Sequence, residues 1–394
     1  MDTSEEKKVV WSFFDDLFRS LSYDIGNPHA GNPAIPVYFS IGDFGSTDTK
    51  SLPPLIDVTR AKCAVVFVLL DSEFRKAPDE WNEFFNEMRE RAKNSATDLR
   101  LLPIARSDDG NLRMDIQRLD LVPVAPVYAH RRHSRSPIKD VARFFRINAM
   151  IMAIKAIREN SENKRPIEIF ISYARRDGED VANNLRREID EYSGLKAVVD
   201  TLAFGPGTTV YGTSVEKKLM ASSCVVIFQT ASYSNRLWCQ REALLAKRCE
   251  IPMIVVGMRD GLERRGCDSL TNCPHLDLKG GIEDRYEEIV ELAVSEILRI
   301  AHHRSRSAAL LELAGIDPQR VEILVRKPEL LRLIDLVAAN NQADGEGRRL
   351  RDLVLHPDPA LREHELNVLK TVDPKLQFLT PSTILVDSIQ TEAK

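Results

Sequence analysis

Three short apolar runs set the frame of this chain: Ile167-Glu168-Ile169-Phe170-Ile171-Ser172-Tyr173, Cys224-Val225-Val226-Ile227-Phe228-Gln229 and Ile251-Pro252-Met253-Ile254-Val255-Val256. Each is nearly continuous in Ile, Val and Phe rather than alternating, which is the pattern of a strand buried on both faces of a parallel sheet. Helix-like segments separate them, so the region reads as a βαβ succession with helices on both sides. The expected strands are Glu168–Ser172, Lys196–Val199, Cys224–Gln229 and Met253–Gly257, with a fifth near His275–Leu278. Val181, Leu185 and Ile189 recur at helical spacing within Gly178–Tyr192, which predicts a helix burying one face. A sheet of this type takes ligands beyond the carboxyl ends of its strands. Ser172–Asp177, Asp200–Thr209 and Thr230–Arg236 fall at that edge.

The rest of the composition is that of a globular chain. With 394 residues there is room for two or three cores, and 43% hydrophobic against 29% charged residues is ordinary. The formal net charge of -4 excludes the chain as a whole as a polyanion-binding surface. Local basic runs at His130–Arg135 and His302–Arg306 sit where one unit hands over to the next and read as solvated linkers, so direct nucleic-acid contact is not expected. Six cysteines show no paired framework and read as buried free thiols of a reducing compartment. No apolar stretch is long enough to span a bilayer, and Met1–Lys8 is too acidic for a secretory signal, so no membrane partner and a cytoplasmic location are expected. Cys267, Cys273 and His275 have a spacing that matches no common zinc site, and no metal is expected.

The apolar runs stand in a fixed order with Asp177, Asp200, Gly205-Pro206-Gly207, Ser222, Trp238-Cys239 and Glu242. That ordered set resembles a TIR (Toll/interleukin-1 receptor) domain over residues 164–303. The resemblance implies a flavodoxin-like α/β fold. Many such domains outside animals resemble enzymes that cleave NAD at the nicotinamide glycosidic bond, and their essential glutamate matches Glu242, four residues after Trp238. On this reading NAD+ is the substrate and no separate cofactor is needed. The chain departs from the family pattern at Arg236, where a small serine usually stands two residues before the tryptophan.

NAD+ carries a pyridinium leaving group that departs neutral, so the chemistry needs no general acid. It needs a carboxylate beside the ribose to steady an oxocarbenium-like transition state. Glu242 suits this catalytic role if a helix beginning near Leu237 delivers it to the carboxyl edge of the sheet. Candidate substrate-binding groups are the flat rings of Tyr173, Phe204, Tyr233 and Trp238, the edge residue Ser172, and Arg175 and Arg176 for the diphosphate. Gly205 and Gly207 match the family's mobile loop after the second strand, where glycine permits close backbone approach. Each has a plainer alternative: Glu242 as a surface carboxylate near Lys247, Trp238 as core, Asp177 and Asp200 as helix or turn caps.

The chain also contains a partial repeat. Ile35–Asp43 parallels Ile167–Tyr173, Ala61–Val68 parallels Ser222–Phe228, and Leu101–Ala105 followed by Asp108-Asp109-Gly110 parallels Ile251–Gly261. Each copy ends in an amphipathic helix, Val141–Ile157 and Ile282–Ile300. The first copy, within residues 1–160 behind a helix expected at Lys7–Leu21, resembles a shorter TIR-like α/β unit. Phe85 stands four residues after its Trp81, although Glu80 and Glu83 are close, and the copy reads as non-catalytic, with an alignment onto Glu83 as the alternative. Residues 307–394 match no recognised pattern and read as a mainly helical domain for partner binding or self-association. Helices are expected at Ala308–Leu313, Glu329–Ala338, Arg348–Leu355 and Pro359–Lys370, and extended chain at Leu376–Val386.

The expectation is therefore an NAD+ glycohydrolase or cyclase activated by assembly, as a homo-oligomer or with an activating protein, in prokaryotic defence against phage. Two rivals stand beside it: a non-catalytic TIR scaffold, and a sensor whose pocket binds a nucleotide without cleaving it.

Overall fold

The computed structural model describes residues 55–58, 63–70, 78–105, 137–159, 167–192, 194–199, 210–258, 270, 272–278, 282, 285–345 and 351–392. The expectations for Lys7–Leu21, Ile35–Asp43, Asp108–Gly110, the basic run at 130–135, Asp200, Phe204, Gly205, Gly207 and Cys267 lie outside them. The described residues fall into two compact units, one within 55–159 and one within 167–392.

In the first unit β1 (Cys63–Leu70) and β2 (Asp98–Ala105) pair in parallel along their whole length, from Cys63↔Asp98 to Leu70↔Ala105. Helix α1 (Pro78–Asn94) makes the crossover. Pro78 opens it, Asp79 and Glu80 lie in the first turn and Arg91 and Lys93 in the last, which suits the helix dipole at both ends. Its inner face supplies Phe84, Phe85, Met88 and Ala92 to a core with Val68 and Leu101. A second helix, α2 (Pro137–Glu159), packs on β1 and buries Ile147, Met150, Ile151 and Ile154 almost completely.

The second unit holds β3 (Ile167–Ser172), α3 (Arg175–Asp190), β4 (Leu195–Val199), α4 (Val210–Ala221), β5 (Cys224–Gln229), α5 (Leu237–Arg248), β6 (Met253–Gly257), β7 (His275–Asp277) and α6 (Tyr286–Leu313). The five strands form one parallel sheet in the order β4-β3-β5-β6-β7. This is the flavodoxin-like order, with the direction of strand succession reversing between β3 and β5. β5 and β6 are buried at every position, as expected for central strands covered on both faces. In α3, Ala182, Leu185 and Ile189 turn inward, while Val181 is only half-buried.

Residues 318–392 add a second sheet. β8 (Val321–Ile323), β9 (Leu353–Leu355) and β10 (Gln377–Leu379) are parallel in the order β10-β9-β8. Helices α7 (Leu330–Gly345) and α8 (Glu363–Lys370) connect them, and α9 (Pro381–Glu392) closes the module. One face packs Leu353 and Leu355 against Leu310, Leu311 and Ile384; the other packs Val354 against Leu333, Leu336 and Leu369.

Three expectations change here. The segment expected as helix over Arg348–Leu355 ends in the strand Leu353-Val354-Leu355. The segment expected as extended over Leu376–Val386 is a strand only as far as Leu379. Pro381 then sits at the first helical position, while Thr380 and Thr383 exchange bonds from each backbone N–H to the other hydroxyl, at 2.8 and 3.2 Å, in the manner of a capping box. The basic run at His302–Arg306 is no linker: α6 continues through it as one helix of 28 residues, about 42 Å long. Ile289, Val290, Ala293 and Val294 of α6 are buried on the TIR-like side, and Leu310 and Leu311 enter the core of the second sheet.

Among the described residues no helix is long and apolar enough to cross a membrane. Of the described cysteines with a defined environment, Cys224 and Cys239 are buried free thiols as expected, whereas Cys249 is exposed.

Candidate functional site

The site is built where β3 and β5 lie side by side, Ser172 opposite Ile227, at the point where strand order reverses. β5 leaves the sheet at Gln229, and a 3-10 turn at Tyr233–Asn235 leads into α5. That connection is braced by Asp177 in the first turn of α3. Its carboxylate accepts from Thr230 Oγ1 at 2.7 Å and from the Ser232 backbone N–H at 2.9 Å. Burial opposes the charge on Asp177, but these two donors and the nearby Arg176 together hold its pKa below the usual value. Asp177 therefore holds the loop after β5 rather than capping its own helix, whose N-cap position is Ala174.

Helix α5 lies close to the sheet because its inward positions are small: Cys239, Ala243 and Ala246 are all buried. Glu242 stands on the flank of this row, three residues after Cys239. Its Oε2 accepts a hydrogen bond from Ser172 Oγ at 2.6 Å. Ser172 Oγ also lies 2.9 Å from the Tyr233 hydroxyl, which donates to the Cys239 carbonyl at 3.1 Å. Each hydroxyl has one hydrogen. With Glu242 ionised, Ser172 gives its hydrogen to the carboxylate, and Tyr233 shares its own between Ser172 Oγ and the Cys239 carbonyl. The result is a carboxylate bonded by the Ser172 hydroxyl, which is itself held by that of Tyr233.

The surroundings set what else can react. Burial, reinforced by the charge of Glu242, pushes the Cys239 thiol up to about 12. It stays a neutral thiol at physiological pH, with Sγ directed at the Tyr173 carbonyl 3.7 Å away, and is no nucleophile. Between α4 and α5 runs a cleft lined by Val215, Leu219, Trp238, Arg241 and Glu242. Arg241 pairs with Glu216 of α4 and lies 5.4 Å from the centre of the Trp238 ring, within cation–π range. Trp238 is 46% exposed, which settles it as a surface ring and not a core residue.

Of the sequence candidates, Glu242, Ser172 and Tyr233 come together in one hydrogen-bonded group. Tyr233 is fully buried, so the expectation that its ring faces a ligand is corrected: it supports Ser172 from inside. Ser172 is likewise buried and meets Glu242 rather than the pocket surface. Tyr173 is half-buried with its Cβ close over Gly178, where an added methyl group would stand 3.1 Å away. Arg175 is exposed at the start of α3. The alternative pairing of Glu242 with Lys247 gives way, because Lys247 bonds Glu329. Sequence reading missed Arg241 and Glu216. Arg241 stands three residues after Trp238, the spacing at which side chains meet on a helix, and that was the available signal. Among the described residues no three His, Cys, Asp or Glu side chains are grouped as a metal ion would need.

No curated protein matches the chain. Among solved structures, a candidate sugar binding protein from Salmonella typhimurium LT2 aligns with 9% identity over 61% of this chain and 88% of its own, at a TM-score of 0.20. A likeness that weak bears on neither fold nor ligand. A family model described as TIR domain matches residues 169–292, which span β3 to the first turns of α6 and include Ser172, Tyr233 and Glu242. With the 2-1-3-4-5 parallel sheet beneath that match, residues 169–292 form a TIR domain within this chain.

Proposed function

We propose that the TIR domain cleaves NAD+ at the bond between nicotinamide and ribose, with Glu242 as the catalytic carboxylate. The observation that carries this reading is the Glu242–Ser172 bond of 2.6 Å at the switch point of the sheet, where a parallel α/β fold takes its ligand. In the reaction the C–N bond breaks and its electron pair goes to the pyridinium nitrogen, so nicotinamide leaves neutral. The positive charge left on the ribose is stabilised by the Glu242 carboxylate. Water then adds to the ribose carbon and loses a proton, giving ADP-ribose, or a ring nitrogen of the adenine adds instead and gives a cyclic product. Ser172 and Tyr233 orient the carboxylate. Trp238 offers a ring face to the cationic nicotinamide, and Arg175 is placed for the diphosphate. Phe204, Gly205 and Gly207 are proposed as further substrate-binding residues on the family resemblance alone. Draining NAD+ halts metabolism that a replicating phage needs, and defence of a prokaryotic cell, with activity released by self-association or a protein partner, is the setting we propose.

One observation favours a second reading, a TIR scaffold. Leu237 is 81% exposed and Met220, Trp238 and Leu244 are also exposed on α4 and α5, an apolar surface suited to another protein. One experiment separates the two. Purified protein at high concentration with a crowding agent is incubated with NAD+, and products are resolved by chromatography beside Glu242→Gln. Turnover by the wild type that disappears in the variant supports the enzyme and identifies the product. Equal silence from both, with self-association intact, supports the scaffold.

A further inference from the structure

Helix α5 carries Glu242 in its first half, and its second half is gripped by residues 325–335. Lys247, only 6% exposed, donates to both carboxylate oxygens of Glu329 at 3.0 and 2.9 Å. Arg248 makes a two-pronged bond to Asp335 of α7 at 2.9 and 3.0 Å. Just beyond the helix, Glu250 Oε2 accepts from the Val325 backbone N–H at 2.9 Å, and Arg326 donates to the Ile251 carbonyl at 2.6 Å. Four consecutive or near-consecutive positions at the end of α5 are thus bonded to one short stretch of the second-sheet module.

A further feature points the same way. Glu250 adopts φ 52°, a left-handed conformation in which glycine is the usual helix terminator. A glutamate there carries backbone strain, and what it supplies that glycine cannot is the carboxylate that holds Val325. The start of α5 has no side-chain cap from Arg236 and is held by neutral contacts, Gln240 donating to the Ser234 carbonyl and Tyr233 to that of Cys239. The ion pairs to residues 325–335 are all at its other end. Glu242 lies six residues from Arg248, about 9 Å along a rigid helix, so a change in the grip is carried to the carboxylate with little loss.

We infer that residues 325–335 position Glu242: Glu329 and Asp335 hold α5 in the register and tilt at which its carboxylate meets Ser172, so the second-sheet module is part of the TIR centre's machinery. They are positioning residues and touch no substrate. As a statement about catalysis this rests on the proposed NAD+ cleavage; as a statement about where Glu242 is held it does not.

The test uses the full chain and the most exposed of the pairs: Arg248→Asp, Asp335→Arg and the double exchange, each read for NAD+ turnover and for amide hydrogen exchange in α5. The expected result is that each single reversal lowers kcat about tenfold with KM within about twofold, and speeds exchange of the amides at 239–245. The double exchange restores both, which a general loss of folding would not do. Single reversals that leave α5 exchange at the wild-type rate, or faster exchange that the double exchange fails to reverse, overturn the inference. If the wild type shows no turnover, the proposed activity fails. The exchange measurement still decides the grip, because it reads α5 directly.

Discussion

The stretch β1–α1–β2 and the stretch β5–α5–β6 are built alike and finished differently. In both, two adjacent parallel strands are joined by a helix that carries a tryptophan near its start. In the first, Trp81 stacks on Phe85 at 5.6 Å and 27° and meets Phe84 edge-on, and Phe85 is 1% exposed. In the second, the residue four after the tryptophan is Glu242, and it leans across to a serine at the tip of the neighbouring strand. One position on one scaffold thus either seals a core or faces a polar group, and the side chain decides which. Glu80 and Glu83 do not change that contrast, since both lie on the exposed side of α1. The difference teaches that one helix–strand arrangement accepts either core aromatic surface or a carboxylate met by a hydroxyl, as Phe85 and Glu242 do.

Exchanging the two finishes has the largest expected effect. Phe85→Glu puts a charge with no partner where a ring is fully buried, and the first unit should lose its fold, at a cost above about 4 kcal/mol. Limited proteolysis within 63–105, with 167–392 still protected, checks this. The converse, Glu242→Gln, keeps the volume and removes the charge. Turnover of NAD+ should fall by roughly 10²–10³-fold while the melting temperature stays within a few degrees, as measured by product chromatography beside calorimetry.

Acid should separate the two units in a third way. Burial holds His303 down at about 4, helped by the charges of Arg299, Arg304 and Arg306 and opposed by its bond to the Leu324 carbonyl. The unfolded chain binds this proton near 6.5, the folded chain only near 4. Its contribution to stability is therefore complete above about pH 6.5 and is lost as pH falls toward 4, at most about 3 kcal/mol. The described residues of the first unit hold no histidine, so amide protection in 285–325 should drop ahead of that in 63–105, and His303→Gln should shrink the step, leaving the part due to His356, whose pKa burial also lowers. Smaller still is the effect of the hydroxyls under the site. Ser172→Ala should cost about tenfold in kcat and Tyr233→Phe about threefold with KM little changed, measured as initial rates, because they orient the carboxylate and leave it in place.

How much of this was legible depended on length and on sequence distance. Cys224–Gln229 and Met253–Gly257 were read to the residue, because a fully buried parallel strand is a run of Val, Ile and Met with no polar interruption. Leu353-Val354-Leu355 was read as helix, since three residues are too few to show either period. The basic run in α6 was mistaken for a linker because like charges usually solvate. Here Arg304 donates to the Glu250 carbonyl and His303 to that of Leu324, contacts that only the folded chain brings together. At the site, Trp238-Cys239 and Glu242 were legible from their spacing. The role of Tyr233 was not, because an aromatic residue at a loop start looks the same in sequence whether its ring faces a ligand or the core. The partners of Lys247 and Arg248 lie 82 and 87 residues downstream, and no local pattern connects them.

The unbroken course of α6 bears on how this protein can be dissected or recombined. A fragment ended at residue 303, where composition invites a cut, would stop in mid-helix and discard the partners of Lys247, Arg248 and Glu250 together with Leu310 and Leu311, which α6 lends to the core of the second sheet. Transplanting the TIR domain into another protein therefore means carrying residues up to the end of α9, and the smallest unit of inheritance here is larger than the smallest unit of homology.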